Sequence, residues 1–336
     1  MALPLTSFQT HRPPDRNSAA MGRRRAGADN RAGRPLSLGQ DWIRVGTVRG
    51  TDGVRAVIII KIGGGAAIGE TAYRNFAVDL RALLDAGRSA IVIHGANAAF
   101  SQLSRQIDLP PVMVTSSSGR VSRYTDAATM DAMLMTYCGK VNKTIVGVMQ
   151  AAGVNAVGLS GLDGAIATGR RKPMLRGSVD GKARVFRDDH SGTIAAVDVR
   201  LVRLLLDNGY LPVLTPPALG EEGVPINVDG DKLALALAAE LGAEALLFFS
   251  DTPGLLRDVR DETSLVREID AAAPESALAA ASGRMVVKVE AAVGAIERGV
   301  GEVVFGDARA EQPVSRALRG EGTVVRRTAS SAPSQV

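Results

Sequence analysis

Short, uninterrupted apolar runs alternate with longer segments of helical periodicity from residue 56 to residue 327. The first run, AVIIIKI at 56–62, has the length and β-branched content of a strand that is buried on both faces. A helical pattern follows at 69–86 and ends at Gly87, a residue type that commonly terminates helices. Strands that alternate with helices predict an α/β fold: a three-layer sandwich in which helices cover both sides of a mostly parallel central sheet.

Further elements follow from the same two periodicities. The predicted strands are 90–94, 156–160, 210–215, 244–250 and 302–306, with TVVRR at 323–327 as an edge strand. The predicted helices are 97–107, 125–153, 198–208, 229–241 and 284–298, with Thr125 or Asp126 as the N-cap of the longest. Residues 163–197 are predicted to be irregular or hairpin-like.

The chain has one cysteine, Cys138, among 336 residues, of which 46% are hydrophobic. This apolar content excludes wholesale disorder, and the length suits two ordinary domains or one large α/β domain. A single cysteine forms no internal disulfide, so we expect a reducing, cytoplasmic location. One cysteine and three scattered histidines (His11, His94 and His190) are too few for a zinc cluster. The sequence has no apolar run of about 18 residues, so we expect no membrane span.

Residues 1–54 differ in composition from the rest of the chain. They are rich in Arg, Pro, Gly, Ser and Asn without apolar periodicity, which predicts a disordered basic leader, and residues 328–336 form a short tail. Residues 1–56 hold ten Arg and four Asp, a net charge of +6, whereas the remaining 30 basic and 31 acidic residues give −1. The basic balance therefore gives no indication of nucleic-acid binding by the body. We interpret the leader as an over-extended gene start, with initiation near Val54; a transit peptide is the alternative, which its four Asp residues weaken.

Glycines follow the first strand directly, in the run Lys61-Ile62-Gly63-Gly64-Gly65. Backbone N–H groups in such a turn can bind phosphate oxygens, and ligands of α/β sheets bind at the carboxyl ends of strands, where Lys61 lies. Lysine is also scarce, with seven against 33 Arg. The alternative interpretation is a lysine that snorkels at the strand edge. The Walker A and dinucleotide-binding patterns are both absent from the sequence.

The second predicted strand ends in His94-Gly95-Ala96-Asn97, which can present further backbone N–H groups. Taken alone, His94 is best interpreted as a structural histidine. Arg123 directly precedes the long helix, and its guanidinium suits a two-point grip on a carboxylate. A solvated surface arginine is the alternative.

Polar residues also open two later helices and leave one later strand. Asn227, Asp229 and Asp231 open the helix at 229–241, where an N-cap would explain one aspartate but not all three residues. The segment 250–255 leaves a buried strand, with an ordinary β-turn as the alternative interpretation. Lys288 lies just over one turn into the helix at 284–298, a position that suits an anionic ligand.

Together these motifs resemble the amino acid kinase superfamily over roughly residues 56–327. The resemblance rests on Lys-x-Gly-Gly (61–64), His-Gly (94–95), Asn-x-Asp-x-Asp (227–231), Ser-Asp-x-x-Gly-Leu (250–255) and Gly-x-Met-x-x-Lys (283–288). Five motifs in this order are highly specific. Within the superfamily, the chain is similar to the acetylglutamate kinase group, and most to the branch that phosphorylates aminoadipate or glutamate attached to an amino-group carrier protein. The segments that carry this finer resemblance are 118–126, 138–143, 155–164, 169–172, 209–219 and 226–232.

The resemblance implies an amino acid kinase domain at 55–327, with an acyl-substrate lobe at about 55–197 and a nucleotide lobe at about 198–327. It implies that Lys61 and Lys288 are catalytic and flank the transferring phosphoryl group, and that catalytic Asp231 holds both lysines. Substrate binding would involve His94, Gly95, Ala96, Arg123 and Asn227. Phosphate and nucleotide binding would involve Gly63, Gly64, Gly65, Ser250, Asp251, Gly254 and Leu255. The substrate's own carboxylate would be the nucleophile, and ATP would bring Mg²⁺ held mainly by its phosphates, with no metal site in the protein.

Two positions depart from the family pattern. The usual His-Gly-Gly is His94-Gly95-Ala96 here, and Ala96 keeps its N–H donor if the backbone does not need a positive φ. The usual Gly-Gly-Met is Gly283-Arg284-Met285, where Arg284 would point outward or add positive charge near the nucleotide.

Residues 163–190 carry seven basic and four acidic residues, a local net charge of +3. Such a patch can steer an acidic protein partner, and the resemblance implies a small acidic amino-group carrier protein that bears the substrate. A solvated basic hairpin is the alternative. The family also implies a homodimer, without a nucleic-acid or membrane partner. Two other functions stay open: a free N-acetylglutamate kinase of arginine biosynthesis, and a non-catalytic nucleotide or amino-acid sensor, against which the catalytic lysines argue.

Overall fold

The computed structural model describes residues 56–328, except residues 118, 120, 173, 282 and 283. The predicted leader and all but the first residue of the predicted tail lie outside these described residues. Among the helices of the described part, none combines the length and apolarity that crossing a membrane requires.

The elements alternate as the sequence predicts. The strands are β1 (Val57–Ile62), β2 (Ser89–His94), β3 (Met113–Thr115), β4 (Val121–Arg123), β5 (Ala156–Ser160), β6 (Ala167–Arg171), β7 (Leu175–Val179), β8 (Lys182–Phe186), β9 (Gly192–Val197), β10 (Leu211–Thr215), β11 (Pro217–Gly220), β12 (Pro225–Asn227), β13 (Ala245–Ser250), β14 (Glu268–Asp270), β15 (Glu302–Asp307) and β16 (Thr323–Arg326). The α-helices are α1 (Glu70–Asp85), α2 (Asn97–Gln106), α3 (Ala127–Leu134), α4 (Asn142–Ala151), α5 (Arg200–Asp207), α6 (Gly230–Leu241), α7 (Glu275–Ala280), α8 (Arg284–Glu297) and α9 (Pro313–Leu318). Short 3₁₀ turns lie at Asp163–Ala165 and Glu262–Ser264.

The central sheet has eight strands within the described residues, in the order β14-β16-β15-β13-β1-β2-β10-β5. Its neighbouring strands are parallel except β15 and β16. This confirms the predicted α/β class and its mostly parallel sheet. The predicted edge position of 323–327 is wrong, because the short strand β14 pairs outside β16. β14 is only three residues long and contains two acidic residues, so it carries no strand pattern.

Alternation along β1 separates two hydrophobic cores, one on each face of the sheet. Ile59 packs with α6 and α8 on one face, whereas Ile58, Ile60 and Ile62 pack with α1, α4 and α9 on the other. Since successive side chains of a strand point to opposite faces, Lys61 shares the face of Ile59. The strand itself therefore directs Lys61 toward the side covered by α6 and α8.

The predicted long helix at 125–153 is interrupted. Asp126 caps its start, as predicted, by accepting a hydrogen bond from the Thr129 N–H. A π-helical segment, Met135–Val141, then separates α3 from α4. Buried residues nevertheless recur every four positions through this segment, at Met133, Tyr137, Val141, Ile145 and Met149, so periodicity alone predicts a continuous helix.

The strands β6, β7, β8 and β9 lie where the sequence predicts irregular or hairpin-like structure, and they pair with β3, β4, β11 and β12 in two small sheets. Their orders are β12-β11-β6-β9 and β4-β3-β7-β8. The strands β7 and β8 form an antiparallel hairpin, which confirms the hairpin prediction for part of 163–197. The second sheet joins this hairpin to β4, the strand that ends at Arg123.

Candidate active site

The carboxyl ends of β1, β2 and β13 meet in the middle of the sheet, and backbone hydrogen bonds tie their exits together. The Gly63 N–H donates to the Phe249 carbonyl at 2.9 Å, and the Gly95 N–H donates to the Ile62 carbonyl at 3.0 Å. The Ala98 N–H donates to the Gly64 carbonyl at 2.8 Å. The two glycine turns predicted from the sequence thus form one continuous backbone surface at the helix α2 N-terminus.

Gly64 lies where two chain segments approach most closely. A Cβ atom at this position would lie 2.6 Å from the Gly95 carbonyl carbon and 2.7 Å from the Asn97 amide nitrogen. Real Cβ contacts of this length essentially do not occur, so no other residue fits without movement of the backbone. The neighbouring Gly65 is open, with only the Asp251 carboxylate within 4 Å of a hypothetical Cβ.

Lys61 and Asp231 form an ion pair at the junction of β1 and α6. Their side chains are 12% and 24% exposed, so the pair lies at the edge of the interior with access to solvent. Asp229 is the N-cap of α6 and accepts hydrogen bonds from the backbone N–H groups of Asp231 and Lys232, at 2.8 and 3.1 Å. Asp229 is thus the cap, and Asp231 is left to bind the lysine.

Lys288 enters the same site from α8. Burial lowers the pKa of Lys288, and the positive charge of Lys61 adds to this, whereas Asp231, Asp229 and Asp251 act to raise it. The two lysines and three aspartates therefore lie close enough to interact, although they come from four separate segments of the chain. Partial burial keeps both ammonium groups in a medium of low dielectric, where they interact strongly with a phosphoryl group.

The structure places the His94 ring away from the open site. The ring is fully buried, Nδ1 faces the Gly95 carbonyl oxygen at 3.2 Å, and Nε2 faces the Asn142 side-chain nitrogen at 3.1 Å. Burial lowers the pKa of His94 to about 4. Substrate binding by His94 stays a prediction. In this geometry its side chain would contribute by holding the Gly95 carbonyl in the turn after β2.

The turn accepts alanine where the family has glycine. Ala96 is the N-cap residue of α2 and has a negative φ, −148°, with ψ 26°. The backbone does not need a positive φ at this position, so Ala96 keeps its N–H as a donor.

Arg123 is the centre of a polar cluster beside this turn. Its guanidinium lies over the Phe100 ring, 4.1 Å from the centroid, and its Nη2 donates to Asn97 Oδ1 at 3.4 Å. The Tyr137 hydroxyl donates to the same Asn97 oxygen at 2.8 Å. The Nε atom of Arg123 is buried without a hydrogen-bond partner among the described residues. A buried guanidinium N–H without a partner is costly, and a carboxylate ligand would satisfy it.

Asn227 is held next to this cluster through Thr125. The Asn227 side chain donates to Thr125 Oγ1 at 3.1 Å. Fully buried Asp189 accepts hydrogen bonds from the N–H groups of Thr125 and Ser191, at 3.1 and 3.2 Å, and from the Ser191 hydroxyl. Asp189 thereby fixes the loop between β8 and β9 against the start of α3.

The segment 250–255 divides into an open part and a buried part. Ser250 ends β13, and its hydroxyl lies 3.1 Å from that of Thr252, while Asp251 is exposed beside Gly65. Leu255 is buried, and its N–H donates to Thr323 Oγ1 at 2.9 Å. Gly254 packs tightly against Thr323 as well. The structure therefore brings Ser250 and Asp251 to the site, whereas Gly254 and Leu255 anchor the loop that carries them.

Three residues of the site region escaped sequence reasoning: Tyr137, Asn142 and Asp189. Asn142 directly follows the π-helix, in the segment 138–143 that carried only family resemblance, and Tyr137 lies within the π-helix just before that segment. Asp189 lies in the stretch predicted to be irregular, where no local pattern distinguishes a buried carboxylate from a solvated one.

The sequence profile described as the Amino acid kinase family matches residues 56–307. The chain belongs to the amino acid kinase family. This kinase is 51% identical over 269 residues to the "[LysW]-aminoadipate kinase" of Deinococcus radiodurans, covering 80% of this chain and 91% of the relative. It is 47% identical over 272 residues to the protein of the same name in Thermus thermophilus, covering 80% of this chain and 100% of the relative.

A more distant sequence relative and several solved structures are also similar to this amino acid kinase. The acetylglutamate kinase of Leptospira biflexa is 34% identical over 258 residues, with 76% of this chain and 86% of the relative covered. Among solved structures, N-acetylglutamate synthase of Neisseria gonorrhoeae superposes with a TM-score of 0.67 at 22% identity, covering 82% of this chain and 61% of that one. Carbamate kinase of Giardia lamblia superposes with a TM-score of 0.58 at 16% identity, covering 82% and 99%. At these identities the structures support the fold alone.

Proposed function

We propose that this kinase transfers the γ-phosphoryl group of ATP to the side-chain carboxylate of L-2-aminoadipate, or of glutamate, attached to a small acidic amino-group carrier protein. The observation that carries the proposal is the pair of [LysW]-aminoadipate kinases at 51% and 47% identity, matched over 91% and 100% of their lengths. The product is an acyl phosphate, the activated form that lysine or arginine biosynthesis would consume.

The lysine pair supports catalysis by electrostatics and positioning. The substrate carboxylate attacks the γ-phosphorus, the bond to the β-phosphate oxygen breaks, and ADP leaves with the electron pair. Negative charge spread over the transferring group would be stabilised by Lys61 and Lys288, and Asp231 would keep Lys61 aimed through their ion pair. No protein nucleophile is needed, because the acceptor is itself nucleophilic.

The backbone surface at the strand exits would bind the anionic groups. We assign phosphate contacts to the N–H groups of Gly64 and Gly65 and acceptor contacts to Gly95 and Ala96, with Gly63 shaping the turn. Arg123 and Asn227 would grip the acyl substrate, whereas Ser250 and Asp251 would face the nucleotide, with Gly254 and Leu255 supporting their loop. Arg123 lies in the proposed acyl-substrate lobe at about 55–197 and Ser250 and Asp251 lie in the proposed nucleotide lobe at about 198–327, from which Asn227 would reach across to the acyl substrate.

Mg²⁺ would enter with ATP and be held mainly by phosphate oxygens. Within the described residues, no group of three or more His, Cys, Asp or Glu side chains is arranged to hold a metal ion. Asp251, exposed beside Gly65, is a carboxylate that could bind a water of the ion's coordination shell.

The hairpin β7–β8 supports the carrier assignment. Arg176, Lys182 and Arg184 of the hairpin and Arg187 directly after it are exposed, whereas Arg170 and Arg171 of β6 are already paired with Glu221 and Asp188. The first four therefore offer positive charge to an acidic partner. β7, β8 and β4 belong to one sheet, in which Arg176 shares the face of Arg123, whereas Lys182 and Arg184 lie on the other face.

A paired acceptor assay tests the proposal. Hydroxylamine converts an acyl phosphate to a hydroxamate, so product can be measured with ATP and either carrier-linked aminoadipate, carrier-linked glutamate or free N-acetylglutamate. We expect turnover only with the carrier-linked acceptors. Turnover confined to free N-acetylglutamate would identify an acetylglutamate kinase instead, and ATP binding without turnover on any acceptor would indicate a sensor.

Charge reversal separates carrier docking from catalysis. In a Lys182→Glu, Arg184→Glu variant, we expect a raised KM for the carrier-linked acceptor with unchanged kcat, because the charges are remote from the lysine pair. Arg203→Glu, an equally exposed change on α5, is the matched control and should leave KM unchanged. An equal response of both variants would contradict the docking assignment. The homodimer implied by the family stays a prediction, which light scattering can test.

A further inference from the structure

His94 lies beneath the turn that follows β2 and contacts it through a single carbonyl group, that of Gly95. Its other ring nitrogen contacts Asn142, the first residue of α4. Both side chains are buried, His94 fully and Asn142 to within 1%. The proposed phosphoryl transfer uses neither as acid, base or nucleophile, so this buried polar pair needs another explanation.

The groups around the Asn142 side chain show which of its two amide atoms is the nitrogen and which is the oxygen. The atom assigned as Nδ2 lies 2.9 Å from the Val213 carbonyl oxygen, which can only accept a hydrogen bond. Lys143 Nζ, which can only donate, lies 3.1 Å from the atom assigned as Oδ1. The amide nitrogen of Asn142 therefore faces Val213 and His94 and donates one hydrogen to each, with the Leu159 carbonyl farther away at 3.5 Å.

This orientation fixes the tautomer of His94. Because the amide nitrogen only donates, Nε2 of His94 must be the unprotonated acceptor, and the ring proton must be on Nδ1. From Nδ1 the proton is donated to the Gly95 carbonyl. Burial lowers the pKa of the ring to about 4, and the charges of Lys61 and Lys143, which face the ring from β1 and α4, act in the same direction while the Gly95 carbonyl opposes them. The ring is therefore neutral at physiological pH.

The bond from His94 sets the orientation of the peptide that joins Gly95 to Ala96. In a trans peptide, the carbonyl and the following N–H point in opposite directions. Since the Gly95 carbonyl points at the buried ring, the Ala96 N–H points away from it. On that side lies the Tyr137 hydroxyl: burial raises its pKa, and Arg123 and the Ala96 N–H oppose this rise. The Ala96 N–H thus lies on the side of the turn that carries Tyr137 and Arg123, next to the backbone of Gly64.

The π-helix Met135–Val141 accounts for the position of Asn142. Each residue of an α-helix advances by about 100° around the axis, so a local change of winding rotates everything after it. The widened turn lets α3 pack from its Asp126 cap while α4 begins with Asn142 facing His94. π-helical turns of this kind occur frequently at functional sites.

We propose that Asn142 and His94 are positioning residues that aim the Ala96 N–H at the negative charge of the reacting acceptor and phosphoryl groups. Asn142 keeps the proton of the His94 ring on Nδ1. The ring in turn fixes the orientation of the peptide between Gly95 and Ala96. The inference rests on the proposed function only in that this turn binds an anion.

Paired substitutions at His94 test the inference. The amide nitrogen of His94→Asn occupies the place of Nδ1 and can still donate to the Gly95 carbonyl, whereas that of His94→Gln corresponds to Nε2. We expect His94→Asn to retain most of kcat, and His94→Gln and Asn142→Leu to lose about 10–100-fold in kcat with little change of the KM for ATP, since losing one oxyanion donor costs about 100-fold or more. Thr136→Val, equally buried and bonded only within its own helix, is the control and should keep wild-type kcat.

Imidazole ¹⁵N NMR of histidine-labelled wild-type protein gives a second readout that needs no substrate. We expect one buried histidine with its proton on Nδ1 and none on Nε2, unchanged between pH 5.5 and 8. A proton on Nε2, or equal kcat losses in His94→Asn and His94→Gln, would overturn the inference. If wild type acts only on free N-acetylglutamate, the proposed function fails, and the variant ratios measured with that acceptor still decide this inference.

Discussion

Replacing Gly64 with alanine should push apart the turns that follow β1 and β2, whose close contact forms part of the site. The new Cβ would lie 2.6 Å from the Gly95 carbonyl carbon and 2.7 Å from the Asn97 amide nitrogen, whereas ordinary contact begins at 3.4 Å. The neighbouring atoms are all backbone, so no side chain can rotate away. The Ala96 amide nitrogen would lie closer still, so the turn after β2 must move by about 1 Å to restore ordinary contact at 3.4 Å.

Two consequences of this movement can be estimated. Overpacking of this kind typically costs about 1–3 kcal/mol of unfolding free energy. Since a displacement of about 1 Å at a catalytic group can cost about 100-fold, we expect kcat to fall by up to about that factor. The strand exits donate to the reacting groups in this mechanism, so the loss should appear in kcat more than in the KM for ATP.

Urea unfolding and steady-state kinetics of Gly64→Ala measure both effects. Gly147→Ala is the matched control, because Gly147 is exposed in α4 and its Cβ would meet nothing within 4 Å. That change should raise stability by about 0.5–1 kcal/mol, the usual gain of alanine over glycine in a helix, and leave kcat unchanged. Wild-type kcat and stability in Gly64→Ala would refute the close approach of the two turns and the role assigned to it.

Three further predictions follow from the charges of the fold. Asp231→Asn removes the carboxylate that raises the pKa of Lys288, so kcat should fall and the alkaline limb of its pH profile should move to lower pH; an unmoved limb would contradict the coupling. The His94 pKa of about 4 lies below the unfolded value of 6.5, so wild type should lose about 3 kcal/mol of unfolding free energy as pH falls from 6.5 to 4, a loss absent from His94→Asn in urea titrations. Buried Asp79 accepts hydrogen bonds from the backbone N–H and hydroxyl of Ser315 at the start of α9. Asp79→Ala should therefore lower stability by about 2–3 kcal/mol without changing kcat, and an unchanged melting curve would argue against that link.

The residues at the end of β1 and at the start of α6 show how much of the site local sequence pattern predicts. Lys61 and the glycines after it follow a continuous apolar run, so a strand ending in an anion-binding turn is predicted from local pattern alone. The Asp229 cap is predicted in the same way, and the structure confirms it. These predictions succeed because strand burial, turn chemistry and capping are each decided within a few residues.

The buried polar residues Asn142 and Asp189 show what local sequence pattern does not predict. Asn142 lies in a segment whose periodicity is helical, and the π-turn that directs it toward His94 leaves no trace in that periodicity. Asp189 lies in a basic, apparently irregular stretch, yet it is fully buried and fixes Thr125, 64 residues earlier in the chain. Partners so distant in sequence become neighbours only when strands pair and helices pack.

The sequence by itself determined the α/β alternation, the glycine turns at strand ends and the residues that resemble a kinase site, because all of these depend on short-range periodicity and motif spacing. Only the tertiary structure decided that Lys61 meets Asp231 across β1 and α6, that β14 pairs outside β16, and that the His94 ring is satisfied by Asn142 rather than open to substrate. The physical reason is that ion pairing, strand order and burial depend on which elements pack together. That packing is set by the whole apolar core and not by any one segment.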